Sequence, residues 1–246
     1  MTNTSETAFD ALHVLSDLHL APAGRCVLRA HAELVGLIDW LTAQPGRQAL
    51  LLNGDVFDFL QIDGYAELSL PLAAERMHGL LKDLQGEPPS RDVPGALRRY
   101  TAAGHTLYCL AGNHDPELHL GAVQQVLSEH LGSRPWPDDG ADHWQLTVAG
   151  RRVLGLHGHD GDAFNAISGA RMRRAEAEQA GTVPLPPGSR LVRDVFNPYR
   201  FTRTADGRQP YVFVDALSSQ RAVALGLLLL DPRLAMQRLE LAVGVT

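Results

Sequence analysis

Two hydrophobic periods alternate along the first half of this chain. Short apolar runs with strand character end at Leu15, Leu52 and Leu110, and the residues between them carry apolar side chains at helical spacing. The predicted strands are Ala11 to Leu15, Gln48 to Leu52 and His105 to Leu110, and the predicted helices are Val27 to Ala43, Ala66 to Leu84, Pro94 to Ala103 and Gly121 to Leu131. Strands that alternate with helices indicate a sheet with helices packed on it.

A hairpin and then a change of composition follow. Strand patterns at His143 to Val148 and Arg151 to Leu156 flank Ala149-Gly150, which is typical of a hairpin turn, so the sheet is expected to be mixed. Later segments predict a helix with a charged face, a proline-rich linker and two apolar helices, at 163–180, 182–189, 211–230 and 232–243. We therefore expect a core in residues 1–162 and a helical extension or insertion in residues 163–246.

Composition and charge narrow the function classes. Apolar residues make up 45% of the chain and charged residues 20%, as in ordinary soluble proteins, and the net charge of -6 disfavours nucleic acid as a partner. Cys26 and Cys109 are far apart, which predicts a reducing compartment without a disulfide framework. The N-terminus lacks an apolar signal core, and the apolar run 222–230 is too short to span a bilayer. We therefore predict a cytoplasmic protein without a transmembrane segment.

Polar clusters follow the predicted strands at the points where the strands end. The clusters are Asp17 with His19, Asp55 with Asp58, Asn113 with His114, and His157 with His159. Each cluster alone is also compatible with a turn, a helix cap or a solvated surface loop. Together, their carboxylate, imidazole and amide groups suit Mn, Fe or Zn, and no thiolate accompanies them. Since ligands gather at the carboxyl ends of strands in α/β sheets, we expect a metal site there.

The order of these clusters resembles the calcineurin-like metallophosphoesterases. The resemblance covers roughly residues 11–165, and it is carried by the following motifs: Asp17-x-His19, Gly54-Asp55-x-x-Asp58, Gly112-Asn113-His114-Asp115 and His157-Gly158-His159. The first and last motifs are most similar to the UDP-2,3-diacylglucosamine pyrophosphatase branch. The resemblance implies an α/β fold, an α/β/β/α sandwich with an α-helical C-terminal extension, and a hydrolase with a dinuclear metal centre.

The resemblance also implies a role for each motif residue. Asp17 and His19 would bind the first of two divalent ions, with Mn favoured over Fe or Zn, and Asp55 would bridge both ions. The second ion would be bound by Asn113 and His157, with His159 replacing or assisting His157. A metal-bridging hydroxide would be the nucleophile. The catalytic residues would be His114, which protonates the leaving oxygen or stabilises developing charge, and Asp58, which orients His114.

One part of the family pattern has no counterpart in this sequence. The pattern ends in Gly-His-x-His on a late strand, whereas no histidine follows His159 here. Three explanations stay open. The chain is the first part of a longer protein, which we favour and which would leave the second sheet incomplete; or the enzyme is complete and uses Asp160, Asp162 or water as further ligands; or the protein is a non-catalytic scaffold. Intact motifs around His114 argue against the scaffold.

The predicted activity is hydrolysis of a phosphoester or pyrophosphate bond. The expected substrate is a nucleotide-lipid pyrophosphate or a small phosphodiester. The arginines at 171, 173 and 174 and the apolar late helices could serve an amphipathic substrate, or be a solvated helix face and core-facing helices. Peripheral membrane contact stays open. The main enzymatic alternative is a DNA or RNA phosphodiesterase of the same superfamily, which would need a basic groove. The oligomeric state is not predicted.

Overall fold

The computed structural model describes residues 8–86, 88–134, 143–201 and 236. Its first sheet is parallel, with the strand order β2-β3-β5. The strands are β2 (Ala11–Leu15), β3 (Gln48–Asn53) and β5 (Thr106–Leu110), in register from Ala11 opposite Gln48 and from Ala49 opposite Thr106. The three strands predicted from the apolar runs are therefore confirmed, and their carboxyl ends lie side by side.

The second sheet has the order β1-β6-β7. The predicted hairpin is confirmed as β6 (His143–Val148) and β7 (Arg151–Leu156), and Ala149 and Gly150 take φ values of 48° and 75°. Two consecutive positive φ angles fit the tight turn that matches the twist of a hairpin. A short strand β1 (Ala8–Phe9), which the sequence pattern did not predict, lies parallel to β6.

The two sheets pack face to face, and helices cover the other face of the first sheet. Ala49 and Leu51 of β3 join Trp144 of β6 in a cluster between the sheets, whereas Leu50 and Leu52 point into the larger core on the helical side. Successive side chains of a strand point to opposite faces, so β3 is buried on both. The mixed α/β architecture predicted from the sequence is confirmed.

Four helices of the first core match the predicted segments. They are α1 (His31–Thr42), α2 (Leu70–Asp83), α3 (Val93–Ala102) and α4 (Gly121–Leu131). The helix predicted at 163–180 is shorter and forms α5 (Gly169–Ala177). Its start is fixed by Ser168, whose hydroxyl accepts a hydrogen bond from the backbone N–H of Arg171.

The prediction of a linker at 182–189 is wrong. Strand β8 (Thr182–Val183) pairs with β4 (Leu68–Ser69), which takes the first residues of a segment predicted to be helical, and helix α6 (Pro187–Leu191) follows β8. Proline in the first turn of a helix lacks only an N–H that would have no partner there, so Pro187 starts the helix. The proline-rich segment therefore contains the end of a strand and the start of a helix, not a linker.

Helix α6 continues through a π-helical turn, Val192–Phe196, into α7 (Asn197–Phe201). Buried Val195 and Phe196 of this composite helix belong to the same core cluster as β3 and α2. The helices predicted at 211–230 and 232–243 lie outside the described residues. The division of the chain at residue 162 stays a prediction. Within the described ranges, no helix has the length and hydropathy needed to cross a membrane.

Candidate metal centre

The turns that follow β2, β3 and β5 are held together by backbone hydrogen bonds. The N–H of Asp17 donates to the carbonyl of Gly54 at 3.1 Å, and the N–H of His19 donates to the carbonyl of Asp55 at 2.9 Å. The N–H of Phe59 donates to the carbonyl of His114 at 3.2 Å. Three of the predicted clusters thus meet at one edge of the first sheet.

Asp17, His19 and Asp55 form a group with metal-ligand chemistry. One ligand atom from each lies within 4.8 Å of the others. All three residues adopt left-handed backbone conformations, with φ values of 56°, 46° and 53°. A residue other than glycine pays an energetic cost there, and such strain concentrates at functional sites. The turns are therefore shaped to point two carboxylates and an imidazole at one position.

His157 approaches Asp55 from the second sheet. Its Nε2 lies 3.5 Å from Oδ2 of Asp55, while its Nδ1 donates to the carbonyl of Asn53 at 2.9 Å. That hydrogen bond fixes the ring and leaves Nε2 directed at the carboxylate. Burial alone would lower the pKa of His157, but the hydrogen bond to Asp55 and its charge outweigh burial and raise the pKa to about 9. The carboxylate of Asp55 is therefore close to His157 as well as to Asp17 and His19.

Two glycines make room for the ring of His157. Gly54 has a φ of 81°, and a Cβ added to it would lie 2.5 Å from Nδ1 of His157. A Cβ on Gly112 would lie 2.2 Å from Oδ1 of Asp55 and 2.8 Å from Nε2 of His157. Both glycines of the motifs are thus required by the close packing of side chains in the site.

Asp58 is shared by two histidines. Its Oδ1 lies 3.1 Å from Nδ1 of His114, and its Oδ2 lies 3.1 Å from Nδ1 of His19. Burial would raise the pKa of Asp58, but the neighbouring imidazoles dominate and hold it well below its usual range. Burial would lower the pKa of His114, but the charge of Asp58 and their hydrogen bond raise it to about 9. The pairing with Asp58 therefore favours the protonated form of His114.

A second group of ligand-type atoms, His19, Asp58 and His114, also lies within 4.8 Å. Asp58 is 1% exposed, and its carboxylate oxygens are occupied by the two imidazoles and by the amide of Gln61. A buried carboxylate with these partners orients rings rather than binding an ion itself. Among the described residues, the group of Asp17, His19 and Asp55 is therefore the better candidate for a metal.

Residues 12–212 match the family model of the calcineurin-like phosphoesterases. The chain belongs to this family. No curated protein matches the chain. Calcineurin-like phosphoesterases are metal-dependent hydrolases of phosphoester bonds, so the superfamily and the enzyme class predicted from the motifs are confirmed. The donor set at the sheet edge, carboxylate and imidazole without thiol, fits the divalent ions that this family uses.

The other predicted ligands lie in the same region of this phosphoesterase. Asn113 is buried, and its backbone carbonyl accepts a hydrogen bond from Oγ of Ser189 at 3.1 Å. His159 is buried with its Nε2 3.3 Å from the carbonyl of Ile167 and 3.5 Å from Oδ1 of Asp160. The ring centroids of His157 and His159 are 5.3 Å apart. Both assignments, Asn113 and His159, stay predictions.

The alternative ligand Asp162 has other partners. Its carboxylate accepts hydrogen bonds from the backbone N–H of Phe164 at 3.0 Å and from the amide of Asn165 at 2.8 Å. These bonds close a local turn, which is the usual role of an aspartate followed by such neighbours. The carboxylate of Asp162 is thus committed to the loop after β7.

Asp115 organises the site, although sequence reasoning gave it no role. Its carboxylate accepts hydrogen bonds from the backbone N–H groups of Gly112 (2.6 Å), Asp55 (3.1 Å), Val56 (3.0 Å) and Phe57 (3.1 Å). It is fully buried and joins the turn after β3 to the turn after β5. The sequence feature that could have indicated this role is the final aspartate of the Gly-Asn-His-Asp motif, but an aspartate before a proline is also typical of a helix cap.

Proposed function

We propose that this chain hydrolyses phosphodiester or pyrophosphate bonds with two divalent ions bridged by Asp55. The observation that carries the proposal is the position of Asp55, whose carboxylate lies within 4.8 Å of ligand atoms of Asp17 and His19 and 3.5 Å from Nε2 of His157. A carboxylate has two oxygens, so one side chain suffices to bridge two ions. Asn113 is the further proposed ligand of the second ion, with His159 ranked behind His157.

The bound ions would lower the pKa of a water molecule so that hydroxide is available at neutral pH. The remaining chemistry belongs to side chains of this chain. His114, held by Asp58, donates its proton to the leaving oxygen, or stabilises the charge that develops there. The charge and hydrogen bond of Asp58 raise the pKa of His114 and so favour the protonated imidazolium that this step needs.

We infer the finer assignments from the motifs. Mn is the proposed ion, a nucleotide-linked lipid or another small phosphodiester is the proposed substrate, and the UDP-2,3-diacylglucosamine pyrophosphatase branch is the proposed neighbourhood within the family. The cytoplasm is the proposed compartment. Carboxylate and imidazole ligands support Mn, and the net charge of -6 supports a small substrate over nucleic acid.

The decisive experiment combines metal content with turnover of bis-p-nitrophenyl phosphate in the presence of Mn. We expect two ions per chain, and a loss of about 10²–10⁴-fold in kcat in the His114→Ala variant with its metal retained. The matched control is His143→Ala, because His143 lies exposed on β6. Absence of bound metal in the parent chain, or equal activity in the parent and His114→Ala, would contradict the proposal.

A further inference from the structure

A cavity of about 500 Å³ lies beside the candidate metal centre. Leu60, in its wall, comes two residues after Asp58, so the two Cα atoms are at most about 7 Å apart. Arg25, which also lines the cavity, precedes Cys26, whose thiol donates to the backbone carbonyl of His19 at 3.6 Å. The cavity therefore adjoins both the residue that orients His114 and a proposed ligand of the first ion.

The composite helix α6–α7 contacts both the turn after β5 and the wall of the cavity. Oγ of Ser189, near its start, donates to the carbonyl of Asn113 at 3.1 Å. The amide of Asn197, beyond the π-helical turn, donates to the carbonyl of Leu60 at 2.8 Å. A π-helical turn costs stability and recurs at functional sites. Here the turn places Arg193 and Asp194 in the wall of the cavity.

Among the described residues of the cavity wall, each charged side chain has an oppositely charged partner. Arg25 forms an ion pair with Asp63, and Arg193 donates through Nε and NH2 to the carboxylate of Asp194 at 2.5 and 2.7 Å. A second phosphate group would have to compete with these carboxylates for the guanidinium groups. A cationic group would have to compete with the guanidinium groups for the carboxylates. The ion pairs thus disfavour a charged occupant of either sign.

An uncharged group with hydroxyls or amides suits the same wall. Guanidinium groups offer further donors after pairing, since each carries five N–H bonds, and carboxylates offer further acceptor positions. The volume lies within the range of about 300–1,000 Å³ that is usual for small-molecule sites.

We propose that this cavity binds an uncharged, hydrogen-bonding substituent of the phosphodiester, of the size of a nucleoside or a sugar. This inference rests on the proposed function, because the substituent is placed by its bond to the phosphorus at the metal centre. Asp63 and Arg25 recognise the substituent through their exposed edges. They act on substrate choice, whereas His114 and the proposed ligands act on the reaction.

Chromogenic esters with one leaving group test the proposal. Turnover with Mn is compared for the p-nitrophenyl ester of thymidine 5′-monophosphate, for bis-p-nitrophenyl phosphate and for p-nitrophenylphosphocholine, which carry an uncharged polar, an apolar and a cationic substituent. The variants are Asp63→Ala and Arg25→Met. The control is Asp39→Ala, which removes another solvent-exposed ion pair, between Asp39 on α1 and Arg99 on α3.

We expect the ratio of kcat/KM for the thymidine ester over bis-p-nitrophenyl phosphate to fall about tenfold in each cavity variant, the size of one hydrogen bond to a charged group. The control should keep the parent ratio. An unchanged ratio in both Asp63→Ala and Arg25→Met would overturn the inference. A preference of the parent chain for the choline ester would also overturn it, because the carboxylates would then dominate recognition.

Binding separates this inference from the proposed function. The affinity for thymidine 5′-monophosphate, measured by titration calorimetry with Mn, should also fall about tenfold in Asp63→Ala. If the parent chain binds the nucleotide, loses affinity in this variant and hydrolyses none of the esters, the cavity assignment stands and the proposed activity fails. If Asp63→Ala binds thymidine 5′-monophosphate as tightly as the parent chain while the parent chain hydrolyses the esters, the proposed activity stands and the cavity assignment fails.

Discussion

Replacing Asp58 by asparagine tests the electrostatic reasoning about the proton on His114. The pKa of His114 is raised from its ordinary value of 6.5 to about 9, against the effect of burial, by the charge and hydrogen bond of Asp58. This difference corresponds to about 3 kcal/mol of stabilisation of the imidazolium. Asparagine keeps the shape and removes the charge, so the pKa of His114 should return to about 6.5 or below.

The sign and size of the defect follow from these values. A group that must be protonated is active below its pKa, so activity should fall as the pH rises through the pKa of His114. At pH 8 the protonated fraction would be about 90% with a pKa near 9 and about 3% with a pKa near 6.5, a roughly thirtyfold difference. At pH 6 both forms would be mostly protonated, and the difference should shrink to less than about twofold.

The assay is the pH profile of kcat for bis-p-nitrophenyl phosphate at saturating Mn, in the parent chain and in Asp58→Asn. Bound cations would lower the pKa of His114 in both proteins, so the shift between the two profiles is the diagnostic quantity. Metal content must be measured in parallel, because Asp58 also contacts His19 at 3.1 Å. Profiles that coincide along the pH axis in the parent chain and in Asp58→Asn, with metal content intact, would refute the reasoning.

Two further substitutions test the packing and the buried charge of the site. Gly112→Ala places a methyl group 2.2 Å from Oδ1 of Asp55 and 2.8 Å from Nε2 of His157, so we expect the affinity for metal to fall by about 10–100-fold in titrations. The control is Gly79→Ala, which has open space around the added Cβ and should bind metal as the parent chain does. Burial raises the pKa of Glu117 from 4.5 to about 7, so its carboxylate destabilises the folded state increasingly as the pH rises from 4.5 to 7. Glu117→Gln should therefore raise the free energy of unfolding, measured in urea titrations, by up to about 3 kcal/mol at pH 8 and by much less at pH 5. Equal effects at both pH values would contradict this explanation.

The strands of the first sheet were predictable because local and tertiary preferences agree there. Gln48–Asn53 combines an apolar run with burial on both faces, and Thr106–Leu110 does the same. A parallel central strand needs both properties, so the sequence pattern and the final environment coincide. The positions of three polar clusters followed from those strands, and the cluster of His157 and His159 followed from the second strand of the predicted hairpin.

Elements that depend on distant partners were not predictable in this way. Ala8–Phe9 becomes a strand only because β6 lies beside it, and Thr182–Val183 only because Leu68–Ser69 does. Two residues carry too little periodicity to indicate a strand alone. The helix that starts at Pro187 was hidden for another reason, because prolines at 184, 186 and 187 have the composition of a linker.

The same distinction separates the ligand types of the site from their arrangement. The motifs indicated which side chains meet, but they did not predict that Asp58 holds His19 as well as His114, or that Asp115 joins two turns through four backbone N–H groups. The hydrogen bonds of Asp115 to Asp55, Val56 and Phe57 help to hold Asp55 at a φ of 53°. A strained backbone persists only where several bonds over-determine it. The buried carboxylate of Asp115 therefore helps to hold Asp55 in its strained backbone conformation, and the site depends on Asp115 as much as on the proposed ligands.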